Sequence, residues 1–78
     1  MVVLTPREQS VLFLISRGCP NKRIAHELKI QLRTVEGYVS ALMRDLVVQN
    51  RVQLARWAWI NEAKVFQGLP ADLGLPVD

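Results

Sequence analysis

At 78 residues, half of them apolar, the chain is long enough for one small domain with a thin core. Its single cysteine, Cys19, and single histidine, His26, exclude an internal disulfide and a Cys/His zinc cluster, and a reducing compartment is therefore expected. Residues 1–60 carry nine Lys and Arg against four Asp and Glu, whereas residues 61–78 are net acidic, a basic body that suits a polyanion such as DNA.

The sequence also offers no membrane segment and no catalytic set. The longest uninterrupted apolar run, residues 11–15, is too short to cross a bilayer. Residues 1–6 lack the basic and apolar regions of a signal peptide. Because there is no phosphate-binding glycine loop and no nucleophile paired with a base, we expect a cytoplasmic protein that is not an enzyme, needs no cofactor or metal and does not contact a membrane.

The first predicted helix begins after Thr5 and runs to about Arg17. Thr5 is a good N-cap, Pro6 fits the first helical position, and Glu8 can reach back to the Thr5 backbone. Gly18 supplies the left-handed residue that commonly ends a helix. The buried face of this helix is predicted to be Val11, Leu12, Leu14 and Ile15.

The second and third predicted helices lie on either side of a short break near residues 29–30. The second covers residues 22–28, with Asn21 as its expected N-cap. The third covers residues 32–46, and its apolar positions follow a spacing of three and four. Two helices joined by so short a turn form a helix-turn-helix candidate. The apolar positions are Ile24, Ala25 and Leu28 in the second helix, and Leu32, Val35, Val39, Leu42 and Leu46 in the third.

The fourth helix is predicted over residues 51–64, with Asn50 as N-cap and Gln53 as its capping-box partner. Its apolar residues cover most of the circumference, so part of the helix has no partner within the chain and a second subunit is expected there. These residues are Val52, Leu54, Ala55, Trp57, Ala58, Trp59 and Ile60. Residues 65–78 contain Gly-Leu-Pro twice and are predicted to form a non-helical tail, to which we assign no function.

A polar stripe runs along the third helix opposite its apolar side. It consists of Arg33, Glu36, Gly37, Ser40 and Arg44, which recur at helical spacing. In the major groove of DNA, small residues would allow close approach, Glu or Ser would meet base edges, and the two arginines could bind phosphates at either end. The alternative is the solvated face of an ordinary amphipathic helix, which is the default for charged residues. The residues alone leave both interpretations open.

An ordered set of motifs over residues 4–60 resembles the LuxR/GerE-type domain. No single piece is decisive, but the order and spacing of the set are specific. The pieces are LTPRE at residues 4–8, VLFLI at 11–15, Gly18, NKRIA at 21–25, LKI at 28–30, TVEGYV at 34–39, and Asn50-Arg51 at the start of the last helix.

This resemblance implies an all-α, four-helix domain over residues 1–64 that binds duplex DNA sequence-specifically as a transcription regulator, either alone or as part of a longer protein. Its third helix would enter the major groove. Base contacts map onto Glu36, Gly37 and Ser40, and backbone contacts onto Asn21, Lys22, Thr34, Asn50 and Arg51. The family commonly forms dimers through its last helix, which implies a homodimer through Leu54, Trp57, Ala58 and Asn61. RNA polymerase or another regulator would be a further partner.

The chain departs from the family pattern at several positions. Gln31 replaces a serine cap, Asp45 replaces a cation, and Val47 stands where glycine would take the left-handed conformation. Because a β-branched residue resists positive φ, we predict a differently shaped turn at residues 45–48, or a longer third helix. These departures, with the acidic Glu36, support an alternative function: a degenerate domain that pairs with another regulator through the fourth helix without reading DNA.

Overall fold

The computed structural model describes residues 4–62, which form four α-helices: α1 (Pro6–Ser16), α2 (Asn21–Leu28), α3 (Leu32–Asp45) and α4 (Arg51–Ile60). The predicted all-α class and the predicted number of helices are confirmed. α4 is described from Arg51 to Ile60, with Asn61 as its C-cap, and the predicted end at residue 64 lies outside the described residues. The predicted tail at residues 65–78 lies outside the described residues.

The N-termini of α1 and α4 have the side-chain caps that the sequence predicted. Thr5 Oγ1 accepts a hydrogen bond from the Glu8 N–H at 3.2 Å, and Glu8 Oε1 accepts one from the Thr5 N–H at 2.9 Å. Asn50 Oδ1 accepts from the Gln53 N–H at 2.9 Å. Gln53 Oε1 accepts from the Gln49 N–H at 2.7 Å, one residue before the usual capping-box position.

The cap predicted for α2 is wrong. Asn21 is the first residue of the helix, and Pro20 occupies the cap position without a side-chain hydrogen bond. Asn21 Oδ1 instead accepts a hydrogen bond from Arg51 Nη1 at 2.6 Å. This long-range bond displaces local capping because a charged donor makes a stronger hydrogen bond than a backbone N–H does.

The first three helices end in one hydrogen-bond pattern, around Gly18, Lys29 and Val47. These residues have φ values of 82°, 56° and 56°. In each case the next residue donates its N–H to the carbonyl five residues back, at 3.0 Å. This is the Schellman motif, which satisfies carbonyl oxygens that the helix itself leaves unpaired. One of the three left-handed positions is therefore held by glycine, and the other two by residues with a Cβ.

The turn predicted for residues 45–48 is wrong, because Val47 does adopt the left-handed conformation. Val47 N–H donates to the Arg44 carbonyl at 3.3 Å, and Val48 N–H to the Met43 carbonyl at 3.0 Å. Leu46 is buried and Val48 is partly buried against the core, whereas the Val47 side chain is 87% exposed. Packing on both sides of Val47 imposes the turn, and this packing overrides the preference of a β-branched residue.

The core lies between α1, α3 and α4 and is completed by the inner face of α2. The predicted inner faces of α1 and α2 are confirmed, and so are the predicted apolar positions of α3 from Val35 onward. Leu32 is an exception: it belongs to the first turn of α3, remains 38% exposed, and is not a core residue. The buried apolar residues are Val11, Leu12, Leu14, Ile15, Cys19, Ile24, Leu28, Val35, Val39, Leu42, Leu46, Leu54 and Ala58.

We predict that Val47→Gly stabilises the protein. The change removes a Cβ from a left-handed residue, which relieves about 1–2 kcal/mol of strain. The greater freedom of glycine in the unfolded chain offsets about 0.4–1 kcal/mol of this gain. The midpoint of urea unfolding, followed by circular dichroism, should therefore rise.

Val52→Gly is the matched control. Val52 is likewise largely exposed, at 70%, but it lies inside α4. Glycine there should lower the free energy of unfolding by about 0.5–1 kcal/mol. Equal destabilisation by the two changes would contradict the assigned strain at Val47.

Candidate nucleic-acid interface

The outer face of α3 carries the predicted polar stripe, and all of its members are exposed. The opposite face of the same helix is buried through Val35, Val39 and Leu42. The stripe therefore stands outward along the length of the helix, where a ligand can reach all of it at once. Its residues are Arg33, Glu36, Gly37, Ser40 and Arg44.

The charges of this stripe are almost free of partners within residues 4–62. Arg33 and Glu36 make no side-chain hydrogen bond or ion pair there. Arg44 Nε lies 3.5 Å from Asp45 Oδ1, but both side chains are well exposed, and an exposed pair of this kind contributes little. A polyanion could therefore engage both arginines at little cost in internal interactions.

Gly37 leaves a gap in the middle of the stripe. A Cβ added there would meet no atom within 4 Å, and the residue lacks the positive φ that would require glycine. Glycine inside a helix is about 1 kcal/mol less favourable than alanine. The absence of a side chain thus serves no need of the fold, and it allows another molecule to approach the α3 backbone closely.

The residues predicted to contact the DNA backbone fall into two groups. Lys22 is exposed in the first turn of α2, and Arg33 and Thr34 are exposed in the first turn of α3. Arg44 is exposed in the last turn of α3. The other three already have partners within the chain. Asn50 caps α4, while Arg51 donates from Nη1 to Asn21 Oδ1 and from Nη2 to the Cys19 carbonyl, both at 2.6 Å.

Two of the residues predicted at the dimer interface are core residues instead. Leu54 and Ala58 have no exposed surface, so they cannot contact a second subunit, and that part of the prediction is wrong. An almost wholly apolar helix does not reveal in its sequence which face packs inward. Trp57 and Asn61 are half-buried, and Asn61 Nδ2 donates to the Trp57 carbonyl at 2.8 Å. The apolar side chains that α4 leaves exposed are Val52, Trp59 and Ile60.

An aromatic and charged cluster that the sequence did not reveal joins the ends of α1 and α4. The Arg17 guanidinium lies between the rings of Phe13 and Trp59, 4.8 Å and 4.6 Å from their centroids. Its Nη2 also binds Glu62 Oε1 at 2.7 Å. Trp59 Nε1 donates to the Ser16 carbonyl at 2.7 Å. Trp59 and Glu62 are more than 40 residues away from their α1 partners in the chain, and no local pattern predicts such contacts.

Residues 4–62 hold no group of three or more His, Cys, Asp or Glu side chains that could bind a metal ion. In the same part of the chain, no helix has the length and apolar character needed to cross a membrane. His26 is exposed on α2, whereas Cys19 is buried at the end of α1 as a small apolar side chain.

Comparison with known proteins identifies relatives for most of the chain. The family described as bacterial regulatory proteins, luxR family, matches residues 2–58. The chain is similar to response regulator Rre1 of Synechocystis, with 52% identity over 69% of the chain and 23% of that protein. It is similar to the probable transcriptional regulator ycf29 of Cyanophora paradoxa, with 49% identity over 73% of the chain and 27% of that protein.

A third relative is the nitrate/nitrite response regulator protein NarL of Escherichia coli, with 38% identity over 81% of the chain and 28% of that protein. The chain thus spans about a quarter of the length of the curated relatives it matches. No solved structure matches the chain.

We predict that Gly37→Ala raises the free energy of unfolding by about 1 kcal/mol, because alanine is the better helix former and its Cβ meets open space. Gly18→Ala is the matched control. Its Cβ also meets open space, but φ is +82°, so strain should destabilise the chain by about 1 kcal/mol or more. Thermal unfolding followed by circular dichroism should move in opposite directions for the two variants. Destabilisation by both would mean that Gly37 serves the fold.

Proposed function

Because the chain belongs to the luxR family of bacterial regulatory proteins, we propose that it binds duplex DNA at specific sequences and regulates transcription. α2 and α3 form the helix-turn-helix, and α3 enters the major groove. The observation that carries this proposal is the exposed stripe of α3, with two arginines flanking a glycine gap. An α-helix fits the major groove, where each base pair presents a distinct set of donors and acceptors.

Base reading falls to Glu36, Gly37 and Ser40 in this proposal. The Glu36 carboxylate can accept a hydrogen bond from a cytosine amino group, and the Ser40 hydroxyl can donate or accept. Gly37 lets the helix backbone approach the base edges. Glu36 should also weaken binding to DNA sequences that offer it no hydrogen-bond donor, because its carboxylate is then repelled by the nearby phosphates.

Phosphate binding is assigned to the exposed cations and hydroxyl around the stripe, together with the N-cap of α4. These residues are Lys22, Arg33, Thr34, Arg44 and Asn50. In helix-turn-helix proteins the first helix crosses the DNA backbone while the second lies in the groove. Lys22 on α2 suits that position. Contacts of this kind set orientation and most of the affinity, but carry no sequence information.

Two copies of the chain would bind one operator. α4 leaves Val52, Trp59 and Ile60 exposed, an apolar surface that a second copy could cover. A two-fold dimer would present two α3 helices to half-sites about one helical turn apart. We propose the bacterial cytoplasm as the location, since operator DNA lies there.

We predict salt-dependent binding of duplexes that the protein itself selects from a random pool. In fluorescence anisotropy, the logarithm of affinity should fall linearly with the logarithm of salt concentration, because phosphate contacts release counterions. Lys22→Gln, Arg33→Gln and Arg44→Gln should each reduce the slope by about 1.8, because each change removes one phosphate contact from both bound chains. Arg7→Gln is the control: it removes the same charge from an exposed site on α1, outside the proposed DNA and dimer surfaces, and should leave the slope unchanged.

Two chains should bind each selected duplex at saturation. The proposed function would be contradicted if the affinity for the selected duplex did not change with salt concentration and if a duplex of scrambled sequence competed equally well. Together with self-association or capture of another regulator, that result would favour the alternative of a protein-interaction module.

We predict that Glu36→Ala changes which sequences are selected at one base pair of each half-site, rather than weakening all sequences equally. The loss of one matched carboxylate contact corresponds to about 1–3 kcal/mol of discrimination. The measurement is a repeated selection from the random pool, followed by sequencing. Gly37→Ala provides a comparison, because it should be more stable than the unaltered chain and yet bind DNA more weakly. An unchanged selected sequence for Glu36→Ala would exclude this residue from base reading.

A further inference from the structure

Arg51 is the first residue of α4, and its guanidinium reaches across to the start of the helix-turn-helix. Nη1 donates to Asn21 Oδ1 and Nη2 donates to the Cys19 carbonyl, both at 2.6 Å, across 30 and 32 residues of chain. The planar fork of arginine presents two terminal nitrogens at a fixed separation, so one side chain can serve two acceptors. The single ammonium of lysine does not reproduce this geometry.

These two bonds join elements that have no other side-chain hydrogen bond between them. Among residues 4–62, no further side-chain hydrogen bond links α4 to α2 or to Cys19 and Pro20 just before it. Pro20, at the cap position of α2, provides no side-chain bond to the helix. The start of α2 is therefore secured by the buried Cys19, by core packing from Ile24 onward, and by Arg51.

The bond to Arg51 also fixes the orientation of the Asn21 amide. Since Oδ1 accepts from Arg51, the Asn21 amide nitrogen is the end left free to donate elsewhere. Lys22, the next residue, is exposed. Arg51 thereby sets the direction of the Asn21 amide, beside the exposed Lys22 in the first turn of α2.

A direct phosphate contact by Arg51 would disturb this arrangement. Turning the guanidinium away would leave Asn21 Oδ1 and the Cys19 carbonyl without their donor, in a part of the chain that is half-buried. The charge is also placed at a helix N-terminus, where a cation is unfavourable unless bonds offset it. Two short charge-assisted hydrogen bonds supply that offset.

We infer that Arg51 is a positioning residue for DNA binding, a role that rests on the proposed function. It holds the loop before α2 and the Asn21 side chain, so that the uncharged Asn21 amide meets the DNA backbone while α3 lies in the groove. It does not itself bind a phosphate. The sequence motif placed Arg51 among the DNA ligands, whereas its two bonds assign it to the support of those ligands.

The experiment compares Arg51→Lys and Arg51→Gln with the unaltered chain, using the selected duplex and a series of salt concentrations. Both variants should bind about tenfold more weakly, with the salt slope unchanged, because each loses the contact of the uncharged Asn21 amide but none of the cations proposed to bind phosphate. Arg7→Lys is the control; it exchanges the same residue types on the exposed side of α1, outside the proposed DNA and dimer surfaces, and should bind as the unaltered chain does.

A second measurement follows the Asn21 side-chain amide directly by NMR. Its resonances should shift in both Arg51 variants, while the backbone amide of Gly37 in α3 stays unchanged. Asn21→Ala combined with Arg51→Lys should bind no more weakly than Asn21→Ala alone, since both changes remove one linked unit. A general loss of structure would move the Gly37 resonance as well and would overturn the assignment.

Three results would contradict the inference. Near-normal affinity of Arg51→Lys, together with a slope reduced by about 1.8 in Arg51→Gln, would make Arg51 a phosphate ligand. If the losses of DNA affinity caused by Asn21→Ala and Arg51→Lys were additive in the double variant, Arg51 and Asn21 would act independently. Failure of the unaltered chain to bind any selected duplex is a different outcome: it removes the proposed function, and with it any role of Arg51 in DNA binding.

Discussion

The structure depends first on the burial of α1. This helix is covered on more than one side, since Val11, Leu12, Leu14 and Ile15 are all buried. Its two buried serines are satisfied locally, Ser10 through the Pro6 carbonyl and Ser16 through the Phe13 carbonyl. A helix that is apolar in this way cannot form the rim of a domain, so α3 and α4 must pack on it. The inner face of α3 is therefore packed against α1, and its polar face must point outward.

The sequence predicted those features that depend on neighbouring residues. The caps at Thr5 and Asn50 and the left-handed Gly18 each need partners within five residues, and all three are present. What it did not predict depends on distant partners. Asn21 has the chemistry of a cap, but a guanidinium 30 residues away takes its oxygen. Val47 has the wrong chemistry for a left-handed residue, but packing around it imposes that conformation.

α4 shows a case in which the periodicity of apolar residues does not predict the buried face of a helix. Its apolar residues surround the helix, so amphipathic spacing cannot indicate which side faces the core. Leu54 and Ala58 face the core, and Val52, Trp59 and Ile60 are left outside. Trp59 is nevertheless anchored by its indole bond to Ser16 and by the Arg17 guanidinium. The end of α4 is thus fixed by polar and aromatic contacts, while its middle is fixed by apolar burial.

Its charge alone does not distinguish the polar face of α3 from an ordinary solvated surface. Two details argue against that interpretation. A helix face that only meets water gains from alanine and from charge pairs at a spacing of four, yet this one keeps Gly37 at its centre and leaves Arg33 and Glu36 unpaired. Each feature forgoes a small gain in stability in the free chain, and Gly37 and the unpaired Arg33 would both be useful when a polyanion lies against the helix. These details support the proposed role of this face in DNA binding, in which the first turn of α2, held by Arg51, would meet the same DNA at its edge.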